Sequence, residues 1–250
     1  HTDKVYYAAV KQDYLRLLPG NPIGYWISNT LIEVFRETPQ MDSYYDVKSG
    51  LSTGNNDIFV RHWHEINIKT MFRAYSPLIS DRKNYKWIPY SKGGGVQKWY
   101  GNNELVVNWE NEGQAMKDYG FAVFRNEPFY FREGITWSGL SSKFVSYRFI
   151  PNGFVYDSNK GPMIFRKQES PNLEYTIGFL NTKVSNLITN LLNPTLSTQI
   201  GDIVKIPLKI NDDSSHLVTS IAKDNIDITR LDWDAHETSW DFKSNELVSL

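Results

Sequence analysis

The order of periodicities along this chain limits its fold more than any single motif does. Short β-like runs follow one another at 44–47, 64–68, 85–90, 104–107, 134–137, 144–149 and 153–157, separated by loops rich in glycine and asparagine. Helical spacing is concentrated on either side of them. A run at 25–35 carries Trp26, Leu31, Val34 and Phe35 on one face and ends at Pro39. A longer run at 172–192 repeats Ile177, Leu180, Val184, Leu187 and Leu191, with Asn172 placed as an N-cap and Asn193-Pro194 as its stop. A further helix is expected from 217, a short one at 110–118, and a strand and a turn of helix at 5–10 and 11–18. Segregated strands and helices imply an α+β fold rather than alternating βαβ units. The expected architecture is a mixed or antiparallel twisted sheet of short strands with long loops, packed by several helices.

The 250 residues suffice for one large domain or two small ones, and a hydrophobic content of 40% can fill a core. No apolar run approaches the roughly 20 residues of a membrane span, and no charged-then-apolar leader opens the chain. There is no cysteine, which excludes disulfides and thiolate metal sites and suits a reducing cytoplasm. The first residue is His, so the chain is expected to be a piece of a longer protein. A net charge of −1 argues against a free-standing nucleic-acid binder, which is usually basic overall. Any phosphate contacts must come from local charge or from a neighbouring domain.

One stretch concentrates the residues such contacts need. From Lys86 to Asn102, lysines, aromatics and three consecutive glycines are interleaved. Glycines permit close backbone approach, lysines meet phosphates, and Trp and Tyr offer flat faces with polar tips. A carbohydrate-binding loop could use the same mixture. A second polar loop, 50–57, is bracketed by glycines and contains Thr53, Asn55 and Asn56, residue types that contact base edges or phosphate. It lacks the Gly-Lys-Ser/Thr end of a phosphate-hydrolysing loop, and a plain turn is an equal reading. Gly134-Ile135-Thr136-Trp137-Ser138 reads as a strand ending on a core tryptophan and small polar groups.

Other motifs favour plain readings. Asn21-Pro22-Ile23-Gly24-Tyr25-Trp26 is close to the Asn-Pro-Pro-aromatic loop of adenine methyltransferases, but the second proline is absent and the aromatic is displaced, so a turn entering a helix is the better account. His62 and His64 fall on one face of a strand with no third ligand at a useful spacing, so hydrogen-bonded histidines are expected rather than a metal site. Asp232, Asp234, Glu237 and Asp241 form an acidic, aromatic tail expected to begin a helix with a solvated face.

Taken in order, several segments resemble one family. They include Pro-Gly-Asn-Pro-Ile-Gly-Tyr-Trp at 19–26, Gly-Leu-Ser-Thr-Gly-Asn-Asn-Asp-Ile-Phe at 50–59, Lys-Trp-Ile-Pro-Tyr-Ser-Lys-Gly-Gly at 86–94 and Lys-Trp-Tyr-Gly-Asn at 98–102. Asn-Trp-Glu-Asn at 108–111, Gly-Ile-Thr-Trp-Ser at 134–138, Gly-Phe-Leu-Asn-Thr-Lys-Val at 178–184, Leu-Asn-Pro-Thr at 192–195, Gly-Asp-Ile-Val-Lys-Ile-Pro at 201–207 and Glu-Thr-Ser-Trp-Asp-Phe at 237–242 continue the series. The series resembles the C-terminal part of PglX-type adenine-specific DNA methyltransferases of bacteriophage-exclusion (BREX) systems, and more distantly type IIG restriction-modification enzymes.

The resemblance implies a division of labour. An upstream domain would bind S-adenosylmethionine and methylate a flipped adenine, and this chain would read sequence in double-stranded DNA. On that basis 1–40 is expected to be a helical connector from the catalytic domain, 41–210 the target recognition domain, and 211–250 a helical acidic and aromatic extension. The expected DNA-facing residues are Thr53, Asn55 and Asn56, then Lys92, Gly93, Gly94, Lys98, Trp99 and Tyr100, and more weakly Thr136, Ser138 and Lys143. No catalytic, metal or cofactor residue is expected within this chain, which would be inactive alone. The implied partners are duplex DNA, the N-terminal methyltransferase domain, and other defence proteins or phage inhibitors, in a bacterial cytoplasm. A DNA-specificity subunit without its own methyltransferase, an aromatic-rich carbohydrate-binding module and a protein-docking module are the rivals. The first would normally show two similar halves, and no internal repeat is visible.

Overall fold

The structure, a computed structural model, describes residues 27–73, 79–140, 144–244 and 248. The expected strand and helix at 5–18, the segment 19–26 and Lys143 lie outside these residues. The fold is α+β, built as a layer of helices, a first sheet and a second sheet.

The first sheet is antiparallel. Its strands are β1 (Tyr45–Lys48), β7 (Gly134–Trp137), β8 (Tyr147–Ile150) and β10 (Met163–Arg166), in the order β1-β10-β7-β8. The second sheet is mixed. It contains β3 (Val60–His62), β4 (Trp87–Ser91), β5 (Leu105–Asn108) and β9 (Val155–Tyr156), in the order β3-β5-β4-β9, with β4 and β9 parallel. A two-stranded ribbon pairs β2 (Leu51–Ser52) with β6 (Val123–Phe124).

Strand alternation makes the first sheet a wall between two cores. On β10, Ile164 joins the helix-side core while Met163 and Phe165 join the core against the second sheet. Ile135 and Trp137 of β7 and Tyr147 of β8 face the helices, and Ile150 faces the second sheet. The second core is aromatic. Trp109 lies 5.7–5.8 Å from the rings of Phe124, Tyr130 and Phe131.

The helix layer contains α1 (Asn29–Glu37), α5 (Leu173–Leu180), α6 (Lys183–Leu192) and α8 (Asp212–Asp234), with short α2 (Met41–Tyr44), α3 (Asn56–Phe59), α4 (Glu110–Tyr119) and α7 (Ile200–Ile203) elsewhere along the chain. Ser28 caps α1, and its buried face is Ile32 and Phe35. The α8 helix starts earlier than its apolar periodicity indicates, because Asn211 accepts hydrogen bonds from the backbone of Asp213 and Ser214. Gly178 of α5 lets α8 approach: a Cβ there would lie 3.2 Å from Val218 and 3.5 Å from Ala222.

Three expectations need correction. The helix expected over 172–192 is two helices. The break falls at Asn181, whose side chain accepts from the Tyr147 amide at 3.1 Å and donates to the Tyr147 carbonyl at 3.0 Å. Thr182 then caps α6 by accepting from the Ser185 amide at 3.1 Å. Local capping combined with a tertiary clamp wins over an apolar repeat that runs through both helices. The strand expected at 64–68 lies instead at Val60–His62. The chain then turns through a 3₁₀ segment, Trp63–Glu65, because the Glu65 carboxylate accepts from the His62 amide at 2.8 Å. The tail at 232–242 does not begin a helix. It ends α8 and folds back, burying Trp240 against Phe154, while Trp63 Nε1 donates to the Thr238 carbonyl at 2.9 Å.

The Asn181 clamp gives a first prediction. Asn181→Ala leaves the buried Tyr147 amide without its partner, while the Tyr147 carbonyl keeps the Trp99 amide at 2.9 Å. An unpaired buried amide costs about 1–3 kcal/mol. Urea unfolding should register a loss of that order, with Asn181→Asp recovering only the acceptor half.

Candidate nucleic-acid interface

Several strands end at one edge of the molecule, and the expected loops gather there. Leu51 of β2 bridges Asp157, and the parallel pair β4 and β9 places Ser91 beside Tyr156. The loops that follow β2, β4 and β9 line one polar cavity of about 220 Å³, formed by Thr53, Asn55, Asn56, Lys92, Asp157 and Lys160 among others. A second, adjoining hollow of about 470 Å³ shares Asn56 and Lys92 and extends to Arg61, His62 and Glu65.

Each loop has a local cause. Asn55 caps α3 by accepting from the Asp57 amide at 3.0 Å, and its amide also donates to the Tyr119 hydroxyl at 3.3 Å. Thr53 is buried and donates to Asn56 Oδ1 at 2.8 Å. Asn56 itself is exposed. The turn after β9 is organised by Asp157, which accepts from the amides of Asn159 (2.8 Å) and Lys160 (2.7 Å) and from the Tyr90 hydroxyl (2.9 Å). Burial and the neighbouring Asp157 charge both push the Tyr90 hydroxyl pKa upward, so it stays a donor.

The loop after β4 packs on that turn backbone to backbone. Gly93 has φ +80°, and a Cβ there would sit 2.3 Å from the Lys160 carbonyl oxygen. A Cβ on Gly161 would lie 2.8 Å from the Ser91 carbonyl oxygen. Gly93 therefore serves an internal approach, while Gly94 is exposed. Lys92 is half-buried; desolvation lowers its pKa, Asp157 opposes that shift, and Lys160 adds to it. The two ammonium groups are thus close enough to repel in the absence of an anion.

The remaining sequence candidates are placed differently. Ser138 reaches this edge and donates to the Gly94 carbonyl at 2.9 Å. Thr136 is fully buried and donates to the Pro162 carbonyl. Tyr100 is 3% exposed. Trp99 is part of the β-structure, donating its amide to Tyr147 and accepting from Phe149. Lys98 Nζ donates to the Asn181 carbonyl at 2.9 Å and lies 5.3 Å from the Phe144 ring centroid. Thr136, Tyr100 and Ser138 are buried, and Lys98 and Trp99 are half-buried. Lys160 and Asn159 were not among the candidates. Their only sequence signal is a turn, Asp-Ser-Asn-Lys-Gly, directly after a β run.

The rings of His62 and His64 stack at 5.4 Å, and no group of three or more His, Asp or Glu side chains suited to a metal occurs among the described residues. In the tail, Asp234 accepts from the Ser239 hydroxyl, and Asp241 faces Arg73 at 3.9 Å. No helix among the described residues is long and apolar enough to cross a membrane.

No protein-family model matches the chain. It is 36% identical over 253 residues to the adenine-specific methyltransferase PglX of Lacticaseibacillus casei (strain Zhang), a match covering 98% of this chain and 20% of that protein. It is 34% identical over 238 residues to the adenine-specific methyltransferase BrxX of Escherichia coli O9:H4 (strain HS), covering 95% of this chain and 19% of that protein. Along nearly its whole length, then, the chain is similar to a segment of two adenine-specific methyltransferases, and it spans about a fifth of the length of each.

Proposed function

We propose that this chain is the target recognition region of a BREX-type, site-specific adenine-N6 DNA methyltransferase, and that the edge built by the loops after β2, β4 and β9 faces duplex DNA. The observation that carries this reading is the gathering of Asn55, Asn56, Lys92, Asn159 and Lys160 on loops fixed by their own caps and close backbone approaches. Cations on such a surface would meet phosphates and set register, while amides would read base edges. The similarity to adenine-specific methyltransferases supplies the parent activity.

Catalysis and S-adenosylmethionine belong, on this reading, to the rest of the parent. Three of the loop glycines serve internal contacts. A Cβ at Gly50, Gly54 or Gly93 would strike the backbone of Tyr156, Phe121 or Lys160 at 2.0–2.7 Å, so these positions are filled by the protein itself. The domain limits 41–210 and 211–250 are modified by one consideration. Trp240 packs into the second core, so we assign the tail to the recognition region rather than to a separate extension. We place the parent in the bacterial cytoplasm, where its DNA is.

Asn56 provides the test of readout. Its Oδ1 is held by Thr53, and no described hydrogen bond engages its amino group. In the parent enzyme, Asn56→Ala should relax the methylated motif at a single position, with a discrimination loss of about 1–3 kcal/mol. Methylation of a degenerate-site library checks this. A motif unchanged at every position removes Asn56 from the reading set.

A further inference from the structure

Arg148, on β8, is 1% exposed, and no other arginine or lysine among the described residues is buried. Its surroundings are neutral. Nη1 donates to the Ser138 hydroxyl at 3.1 Å and reaches the Gln97 carbonyl at 3.5 Å, while Nη2 has no hydrogen-bond partner among the described residues. No carboxylate pairs with it there, and burial alone pulls its pKa down to about 10. It is therefore a cation at neutral pH with part of its fork uncommitted, a costly arrangement in a protein interior.

Its hydrogen bonds connect it to the glycine loop of the interface. Ser138 accepts from Arg148 and donates to the Gly94 carbonyl, so guanidinium, hydroxyl and loop form one chain. The crown is otherwise held by Asn102, whose amide donates to the Gly95 carbonyl at 2.9 Å. Gly94 has φ +124°, Gly95 has open space where a side chain would be, and Val96 is 56% exposed. Among the described residues, 94–97 are held by side-chain hydrogen bonds from Ser138, Asn102 and Arg148 alone, with open space at Gly95. Just beyond the loop, Asn103 is 2% exposed with neither amide atom bonded.

We propose that Arg148 is a reserve phosphate anchor: when duplex DNA binds, residues 94–97 lift from Ser138, and the uncommitted face of the guanidinium takes a backbone phosphate. The planar fork suits a phosphate's paired oxygens, and the freed Ser138 hydroxyl can donate to the same group. Lys92 and Lys160 at the same edge would bring the backbone there. This inference rests on the reading that these loops face DNA.

The test uses the full-length parent protein and a short random-sequence duplex, because a phosphate contact is sequence-independent. Arg148→Met removes the charge and keeps an apolar stem of similar reach. The expected result is a melting temperature equal to or above that of the wild type, binding weakened about tenfold at 0.1 M salt, and a plot of log K against log [salt] shallower by about 1. Arg148→Lys should restore the slope. If Arg148→Met leaves affinity and slope unchanged while Lys92→Ala and Lys160→Ala weaken binding, the anchor is wrong and the interface stands. If none of the three variants changes binding, both fail. A lower melting temperature with binding not restored by lysine makes Arg148 structural, and a changed methylation motif at an unchanged slope makes it a base reader; either result overturns the phosphate anchor.

Discussion

Replacing Trp137 with alanine is expected to cost about 3–5 kcal/mol of stability, enough to unfold a marginal domain. The indole is fully buried at the end of β7, in the helix-side core, and its Nε1 donates to the Thr198 carbonyl at 3.1 Å. Removing it opens a cavity and leaves a carbonyl unpaired. Trp137→Phe refills most of the volume and should lose about 1–2 kcal/mol, chiefly from the orphaned carbonyl. Urea unfolding of the chain separates the two. The position also matters for the interface. Ser138 follows directly and holds Gly94, and the Gly139 carbonyl accepts from Thr198. The alanine variant should therefore loosen the glycine loop as well as the core.

The second large effect concerns binding. Lys92→Ala combined with Lys160→Ala in the parent enzyme should weaken duplex binding roughly 60-fold at 0.1 M salt, and the difference should vanish near 1 M. The figure follows from a slope of about 0.9 in log [salt] for each phosphate no longer neutralised. Lys92 is well placed to meet a phosphate because its charge is already partly desolvated, and the repulsion from Lys160 is relieved when an anion lies between them. Stability should not fall with affinity, since the ammonium of Lys92 is disfavoured in the free protein. The weakening should be similar for every DNA sequence, which distinguishes these lysines from Asn56.

Much of this was legible in the sequence for a simple reason: strands and caps are local. The short β runs at 44–47, 85–90, 104–107 and 134–137 fall within a residue or two of β1, β4, β5 and β7. Where long-range contacts decide, the sequence was silent. The break at Asn181 exists because of β8, 34 residues away. The β10 strand was not read because both of its faces are buried, and a run of Met-Ile-Phe has no polar alternation to reveal it. The candidate site divides along the same line. Loop composition singles out Asn55, Asn56 and Lys92, which line one cavity, but composition does not tell a tyrosine or threonine on the surface from one inside. Tyr100 and Thr136 prove to be buried, and a Cβ at Gly93 would meet the Lys160 carbonyl. Lys160 was missed because its place at the edge comes from the parallel pairing of β9 with β4, which no local pattern announces.

The most direct measurement is a graft. In the parent gene, residues 52–57, 91–96 and 157–161 are exchanged together for those of a relative with a different methylation motif, and the host genome is sequenced for N6-methyladenine. The account predicts methylation at near-normal levels on a changed motif, because the loops read the site while the rest of the protein carries out the chemistry. Full methylation on the unchanged motif would contradict it and would move recognition off this edge of the fold.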